Sequence, residues 1–308
     1  MAIKLKEIAK KEELFAPGHR LCAGCGTAML LRQTLLAAED PVVISLATSC
    51  AHVSTATYPY TAWKVPWVHT AFENSAATIS GIEAAYRVLK RKGKIDKTIK
   101  FISMSGDGGT YDIGLQALSG AVERGHNFLH ITYNNEAYMN TGIQRSGATP
   151  LGASTTTTPA GKVIPGKKQF RKNLTAIIIA HEIPYVAQAT PSYFRDLMTK
   201  VQKGLAVDGP AFINVLTACH RGWRSPMKDN VKLVKTAVDT CYWPLYEVEN
   251  GKWKLTHKPK EKKPVIEWMK PQGRFRHLFT PENEHIVEEM QRKVDEDWEK
   301  LLARCGEA

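Results

Sequence analysis

Four short apolar runs punctuate the chain: VVISLA at 42–47, IKFISM at 99–104, NFLHITY at 127–133 and AFINVL at 211–216. Turn-forming residues bound each one, which predicts strands. Helix-like segments cover 26–38, 75–92, 113–124 and 192–205, with Gly81 and Gly120 weakening two of them locally. Strands alternating with helices imply βαβ units, and so an α/β fold with a doubly wound parallel sheet and helices on both faces. No internal repeat is visible, and no interior linker before about residue 225. Residues 250–275 are rich in Lys and Pro, show no sustained period and should run as an extended surface segment. A last helix is expected with Thr280 as N-cap and Pro281 at its first position. Its stripe of Ile286, Met290, Val294, Trp298 and Leu302 fits its own core and a partner subunit equally well. The expected organisation is one domain over 1–249 and a C-terminal extension with a helix over 250–308, serving as a subunit contact.

Composition narrows the class. The chain has 308 residues, 43% hydrophobic and 23% charged, which suits a soluble globular protein that needs no disulfides to fold. The opening MAIKLKEIAKKEELF holds no apolar stretch of secretory length. No charge-free apolar run reaches about 18 residues, so a cytoplasmic location without membrane contact is expected. The formal net charge of +12 favours acidic partners. Much of the excess lies at 162–172 and 252–263, which read as solvated loops or a basic docking face. No DNA- or RNA-binding pattern accompanies them, so nucleic acid is not an expected partner. Six cysteines in such a chain suit metal or redox chemistry better than disulfides.

Candidate chemistry begins directly after the second apolar run, at Gly106-Asp107-Gly108-Gly109. Glycines at a strand's carboxyl end let backbone approach a phosphate, and Asp107 there would ligate a hard cation such as Mg²⁺. At the end of the next strand stands Asn134-Asn135-Glu136-Ala137-Tyr138-Met139-Asn140, with Asn135 lying 28 residues after Asp107. That is room for one helix and one strand, so both turns should flank one crevice. The pair resembles the thiamine diphosphate motif. The likeness implies that Asp107, the Asn135 side chain and the Ala137 carbonyl hold Mg²⁺ on the diphosphate. Cys22 and Cys25 form a CxxC pair, Cys50 follows, and Cys219 lies directly after a predicted strand. By spacing alone these four fit a 4Fe–4S cluster or zinc. A redox cluster beside thiamine diphosphate has a role that zinc lacks. Cys241 and Cys305 read as ordinary thiols. Tyr58, Tyr60, Trp63, Trp67 and Phe72 read as core or interface, and His52, His69, His126 and His130 as structural.

On CAGCG (22–26), YPYTAWKVPWVHTAFEN (58–74), GDGGTYDIGLQALSGAVERGH (106–126), NEAYMNTGIQRS (135–146), GWRSP (222–226) and WPLYEVENG (243–251), the chain resembles the β subunit of multi-subunit 2-oxoacid:ferredoxin oxidoreductases, the pyruvate:ferredoxin oxidoreductase family. The resemblance implies that Cys22, Cys25, Cys50 and Cys219 bind a 4Fe–4S cluster. It implies that Gly106 to Gly109 and Asn135 to Asn140 line the diphosphate and Mg²⁺, with the backbone near Cys50 touching the cofactor. Asn140 would reach the reacting end of the thiazolium as the catalytic residue. The resemblance also implies that the glutamate activating the cofactor comes from another subunit, so Glu73 is not given that role. The implied activity is oxidative decarboxylation of a 2-oxoacid, pyruvate by default. Coenzyme A would take the acyl group and electrons would pass through partner subunits (α, γ, δ or fusions) to ferredoxin. Three departures from the family pattern, Thr48-Ser49-Cys50, Asn134 and Ala218-Cys219-His220-Arg221, raise an alternative: oxalate, cleaved to two carbon dioxides without coenzyme A. The alternative from another class is a non-redox thiamine diphosphate enzyme with structural zinc.

Overall fold

The strands are β1 (Val42–Ala47), β2 (Trp67–Thr70), β3 (Lys100–Gly106), β4 (Leu129–Asn134), β5 (Tyr185–Ala189), β6 (Ala211–Leu216), β7 (Leu245–Glu249) and β8 (Lys252–His257) in a computed structural model. It describes residues 3–307, so the first two residues of the opening stretch and the last of the C-terminal extension lie outside it. The four apolar runs became β1, β3, β4 and β6. The helices are α1 (Leu5–Ile8), α2 (Gly26–Ala37), α3 (Cys50–Thr55), α4 (Ser75–Arg91), α5 (Leu115–Glu123), α6 (Leu174–Ile179), α7 (Phe194–Ala206), α8 (His220–Trp223), α9 (Asn230–Asp239), α10 (Ile266–Met269) and α11 (Glu284–Cys305).

One sheet runs in the order β2-β1-β3-β4-β6-β5-β7-β8. Its first six strands are parallel, while β7 joins β5 and β8 joins β7 antiparallel. Successive side chains of a strand point to opposite faces, and the helices use both. Ile102 and Ile131 meet α2 and α7 through Leu31, Leu35, Leu197 and Val201. Phe101 and Phe212 meet α4, α5 and α6 through Ile79, Leu118 and Ile178. This is the doubly wound α/β arrangement that the sequence pattern implies.

Residues 250–275 are not an extended surface segment. They supply β8, α10 and the start of a 3₁₀ turn over Gly273–Leu278. Val265, Trp268, Met269, Phe275 and Leu278 are each 0% exposed and belong to a third core. Lysine-rich composition hid these sparse anchors, because the lysines face water while the anchors face inward. The expected boundary at residue 250 falls in the turn of the β7–β8 hairpin. Helix α11 starts at Glu284 with Asn283 in the cap position, rather than at Pro281. The backbone N–H of Asn283 donates to the Thr280 carbonyl, so Thr280 and Pro281 form a turn before the helix. Ile286, Met290, Val294 and Trp298 are buried in the third core and Leu302 packs against it, which gives the stripe an intrachain partner.

Candidate active site

The chain leaves β1 for β2 on one side and returns past β1 to β3 on the other. Such reversals open a crevice at the carboxyl ends of parallel strands. Four turns meet there: Thr48-Ser49-Cys50 after β1, Gly106 to Gly109 after β3, Asn135 to Asn140 after β4, and Thr217-Ala218-Cys219 after β6. Cys50, Gly106, Asp107, Gly108, Gly109, Asn135, Ala137 and Asn140, the whole set expected to bind cofactor, line one narrow cleft of about 30 Å³. Thr48, Ser49, Phe72, Tyr133 and Tyr138 are also part of its wall. Another cavity, of about 280 Å³, lies where α6 and α11 face β5, β6 and β7, lined by Arg171, Trp243 and Arg304 among others. It contains none of the predicted site residues, so chemistry rather than size selects the cleft.

Asp107 is 1% exposed, and among the described residues no cationic side chain pairs with it. Its Oδ1 accepts the Asn135 backbone N–H at 3.2 Å, and its Oδ2 accepts the Ser146 hydroxyl at 2.5 Å. Burial pushes the carboxyl up to about 7, against the pull of those two bonds. One terminal atom of the Asn135 amide lies 2.8 Å from the Ala137 carbonyl oxygen and 3.0 Å from Asp107 Oδ1. With nitrogen there, the amide donates to both. With oxygen there, three oxygens converge, and only a cation would satisfy them.

The glycine turn is shaped by packing. A Cβ on Gly109 would lie 2.9 Å from the Phe72 carbonyl oxygen. One on Gly108 would overlap the Tyr138 ring, whose hydroxyl donates to the Gly108 carbonyl at 3.0 Å. The segment Gly108–Ile113 then winds as a π-helical turn, closed by Gly114 N–H on the Gly109 carbonyl at 2.7 Å, before α5 begins.

The cysteines stand at comparable places: Cys25 caps α2, Cys50 opens α3 and Cys219 caps α8. The Gly222 N–H donates to Cys219 Sγ at 3.5 Å. Cys22 is exposed, and Cys25, Cys50 and Cys219 are half-buried. Burial pushes the Cys50 thiol up to about 12, the charges of Cys219, Cys25 and Cys22 add to the rise, and a hydrogen bond from Asn140 opposes it. The four therefore share one neighbourhood. Among the described residues, however, no three or more His, Cys, Asp or Glu side chains sit close enough together to hold a metal ion.

Sequence reasoning assigned no role to Tyr133 or Ser146, and placed Tyr138 only within the stretch Asn135 to Asn140. Their signal was their place within or beside the motif runs. Of the aromatic group, Trp63 is buried at 4% exposure, whereas Tyr58 and Tyr60 stand in water at 93% and 79%.

Comparison with known proteins follows the same lines. The family described as "Thiamine pyrophosphate enzyme, C-terminal TPP binding domain" matches residues 46–215. Pyruvate synthase subunit PorB of Thermotoga maritima is 52% identical over 98% of this chain and 96% of its own length. The PorB subunit of Methanocaldococcus jannaschii is 54% identical over 93% and 95%. The chain belongs to the thiamine-diphosphate-binding β subunits of the 2-oxoacid:ferredoxin oxidoreductases. As a member it is an oxidoreductase subunit that acts with partner subunits. Ketoisovalerate oxidoreductase subunit VorB of Pyrococcus abyssi, 45% identical over 94% of this chain and 93% of its own, shows that family likeness does not fix the substrate. The fold matches a solved 2-oxoglutarate:ferredoxin oxidoreductase from Magnetococcus marinus with a TM-score of 0.54 and 17% identity, covering 70% of this chain and 76% of that one. Among the described residues no helix is long and apolar enough to cross a membrane.

Proposed function

We propose that this subunit binds thiamine diphosphate, Mg²⁺ and a 4Fe–4S cluster at the carboxyl ends of β1, β3, β4 and β6, and serves the oxidative decarboxylation of pyruvate. The convergence of Asp107, Asn135 and the Ala137 carbonyl carries the reading. A buried carboxylate with no cationic partner among the described residues fits a divalent ion bound by oxygens and phosphate. When bound, thiamine diphosphate supplies an electron sink at which a 2-oxoacid can lose its carboxyl group. Gly106 to Gly109 present backbone to the diphosphate, while Ser146 orients Asp107. Asn140 lines the cleft beside Cys50 and hydrogen-bonds its thiol, so its amide is placed to reach the substrate end as well. The cleft is smaller than the whole cofactor, which suits a site completed by a partner subunit. Cys22, Cys25, Cys50 and Cys219 would hold the cluster, which supplies a one-electron outlet toward ferredoxin.

Pyruvate with coenzyme A is favoured over oxalate because the departures spend their polar groups internally. The Ser49 hydroxyl pairs with Tyr133 and donates to the Ala47 carbonyl at 2.7 Å. The Asn134 side chain donates to the Tyr111 hydroxyl at 3.1 Å and accepts the Glu136 N–H at 3.0 Å. His220 and Arg221 are absent from the cleft's lining.

The complex, purified anaerobically with its partners, is to be assayed for ferredoxin or viologen reduction with pyruvate, 2-oxoglutarate, branched-chain 2-oxoacids and oxalate, each with and without coenzyme A. Coenzyme-A-dependent activity on pyruvate is expected. Activity on oxalate without coenzyme A would replace the substrate, and zinc in place of iron would remove the electron outlet. No acceptor reduction by an iron-replete, cofactor-loaded complex would sink the oxidoreductase reading for this site. Asp107→Asn is expected to lose Mg²⁺-dependent thiamine diphosphate binding by about 100-fold or more, since the charged ligand goes while the shape stays.

A further inference from the structure

Glu136 lies between two of the groups assigned to the cation, yet its own side chain turns away from the cleft. It is 0% exposed, and both carboxylate oxygens are taken. Arg274 Nη2 donates to Oε2 at 2.6 Å, and the Tyr242 hydroxyl donates to Oε1 at 2.6 Å. The guanidinium is fixed in turn. Its Nε donates to Gln272 Oε1 at 2.9 Å, and its plane lies over Trp223 at 4.3 Å and Phe275 at 4.9 Å. Trp223 closes a second route to the loop, donating from Nε1 to the Asn135 carbonyl at 2.9 Å. The Arg274 carbonyl accepts the Ser154 N–H at 2.9 Å, tying in the chain that follows Ser146.

Backbone geometry says what this frame is for. Glu136 has φ 68°, left-handed and unfavourable for a side chain of its size. That inversion lets the Asn135 amide and the Ala137 carbonyl face Asp107 together. An unfavourable conformation persists only where its surroundings over-determine it. Here Asn134 Oδ1 holds the Glu136 N–H, the Thr149 hydroxyl holds its carbonyl at 2.7 Å, and Arg274 with Tyr242 holds its carboxylate.

We propose that Arg274 is a positioning residue for the metal end of the cleft, acting through Glu136 to keep the Asn135 side chain and Ala137 carbonyl aimed at one point. This rests on the Mg²⁺–thiamine diphosphate reading of the cleft. It also assigns a purpose to residues 272–275: they brace, from behind, the loop that carries Asn135 and Ala137. Outer groups that orient metal ligands typically govern affinity by about 10–100-fold. Lysine cannot replace Arg274 without loss, because a point charge lacks the planar fork that reaches Glu136 and Gln272 at once.

The test uses the intact complex. For wild type, Arg274→Lys, Glu136→Gln, Tyr242→Phe and Asp107→Asn, the Mg²⁺ concentration giving half-maximal thiamine diphosphate binding is read by near-ultraviolet circular dichroism. The thermal unfolding midpoint without cofactor is read alongside. Arg274→Lys and Glu136→Gln should raise the Mg²⁺ requirement about tenfold or more, with full binding recovered at saturating Mg²⁺. Tyr242→Phe, which removes one hydrogen bond, should raise it about threefold. A lower unfolding midpoint with an unchanged Mg²⁺ requirement would make the ion pair merely structural and overturn the proposal. If Arg274→Lys fails to assemble, Tyr242→Phe decides, and an unchanged requirement there overturns it equally. Wild type that binds the cofactor without Mg²⁺, or Asp107→Asn that binds like wild type, would instead bring down the cation reading, and the positioning role with it.

Discussion

His130 stands behind the glycine turn as part of a chain of neutral hydrogen bonds. Its Nδ1 meets the Ser103 hydroxyl at 3.0 Å and its Nε2 meets Thr110 Oγ1 at 3.3 Å, and Thr110 donates to the Gly106 carbonyl at 3.0 Å. At 2% exposure, burial pushes its pKa from 6.5 down to about 3, so the folded protein keeps the ring neutral. The unfolded chain takes the proton near pH 6.5. Stability from this group is therefore complete above that pH and is lost as pH falls toward about 3. Between pH 6.5 and 4 the loss amounts to roughly 3 kcal/mol. His130→Gln should flatten that part of the stability curve in urea unfolding followed across pH. A variant curve parallel to wild type would mean that the buried ring is not the source. Ligand spacing in the sequence already set His130 aside as structural, and its partners agree. Glu136 is the opposite case, because nothing in the letters NNEAY says that its carboxylate points backward. That direction follows from a left-handed backbone at one residue.

At the scale of elements, the four turns of the site were legible because each follows an apolar run that became β1, β3, β4 or β6. What the sequence hid are strands whose patterns are short or mixed. The run YVAQA of β5 carries Gln188, which is buried because it accepts from Thr175 at 3.1 Å and donates to the Pro244 carbonyl at 3.0 Å. Approach between elements was hidden too. A Cβ on Gly26 would lie 3.0 Å from the Ala218 nitrogen and 3.1 Å from Thr217 Cα, so this glycine lets the start of α2 touch the end of β6. Asn230 holds the same loop by donating to the Gly24 carbonyl at 2.7 Å. Backbone cannot yield as a flexible side chain can, so Gly26→Ala should move Cys22 and Cys25 away from Cys219 at a cost of about 1–3 kcal/mol. Iron per chain and iron-dependent visible absorption should fall, while Mg²⁺-dependent thiamine diphosphate binding stays. Iron content equal to wild type would show that the CxxC loop needs no such closeness.

For the whole molecule, charge and core place the C-terminal residues differently from their composition. The lysines of 252–263 are not all free: Lys258 pairs with Glu307, Lys262 with Asp295 and Lys263 with Asp239. Much of the basic segment is thus spent holding β8 and its sequel against α9 and α11, with pairs worth little singly. The apolar side of the same contact is large. Trp298 is 8% exposed within a core that also takes Leu245 from β7, Leu255 from β8 and Trp268 from α10. Period-four spacing made the stripe visible but could not name what covers it, because a helix face reads alike against its own chain and against another. Trp298→Ala separates the two. A buried large-to-small change costs about 3–5 kcal/mol through lost contacts and a cavity. If the chain's own core covers the stripe, that cost should appear as a lower unfolding midpoint of the separated subunit. The Mg²⁺ requirement of the assembled complex should stay unchanged, since among the described residues Arg274 and Glu136 are held by Tyr242, Gln272 and stacked rings rather than by Trp298, which shares only the apolar core behind them. A stripe used chiefly between subunits would give the reverse, with subunit stability retained and complex yield lost.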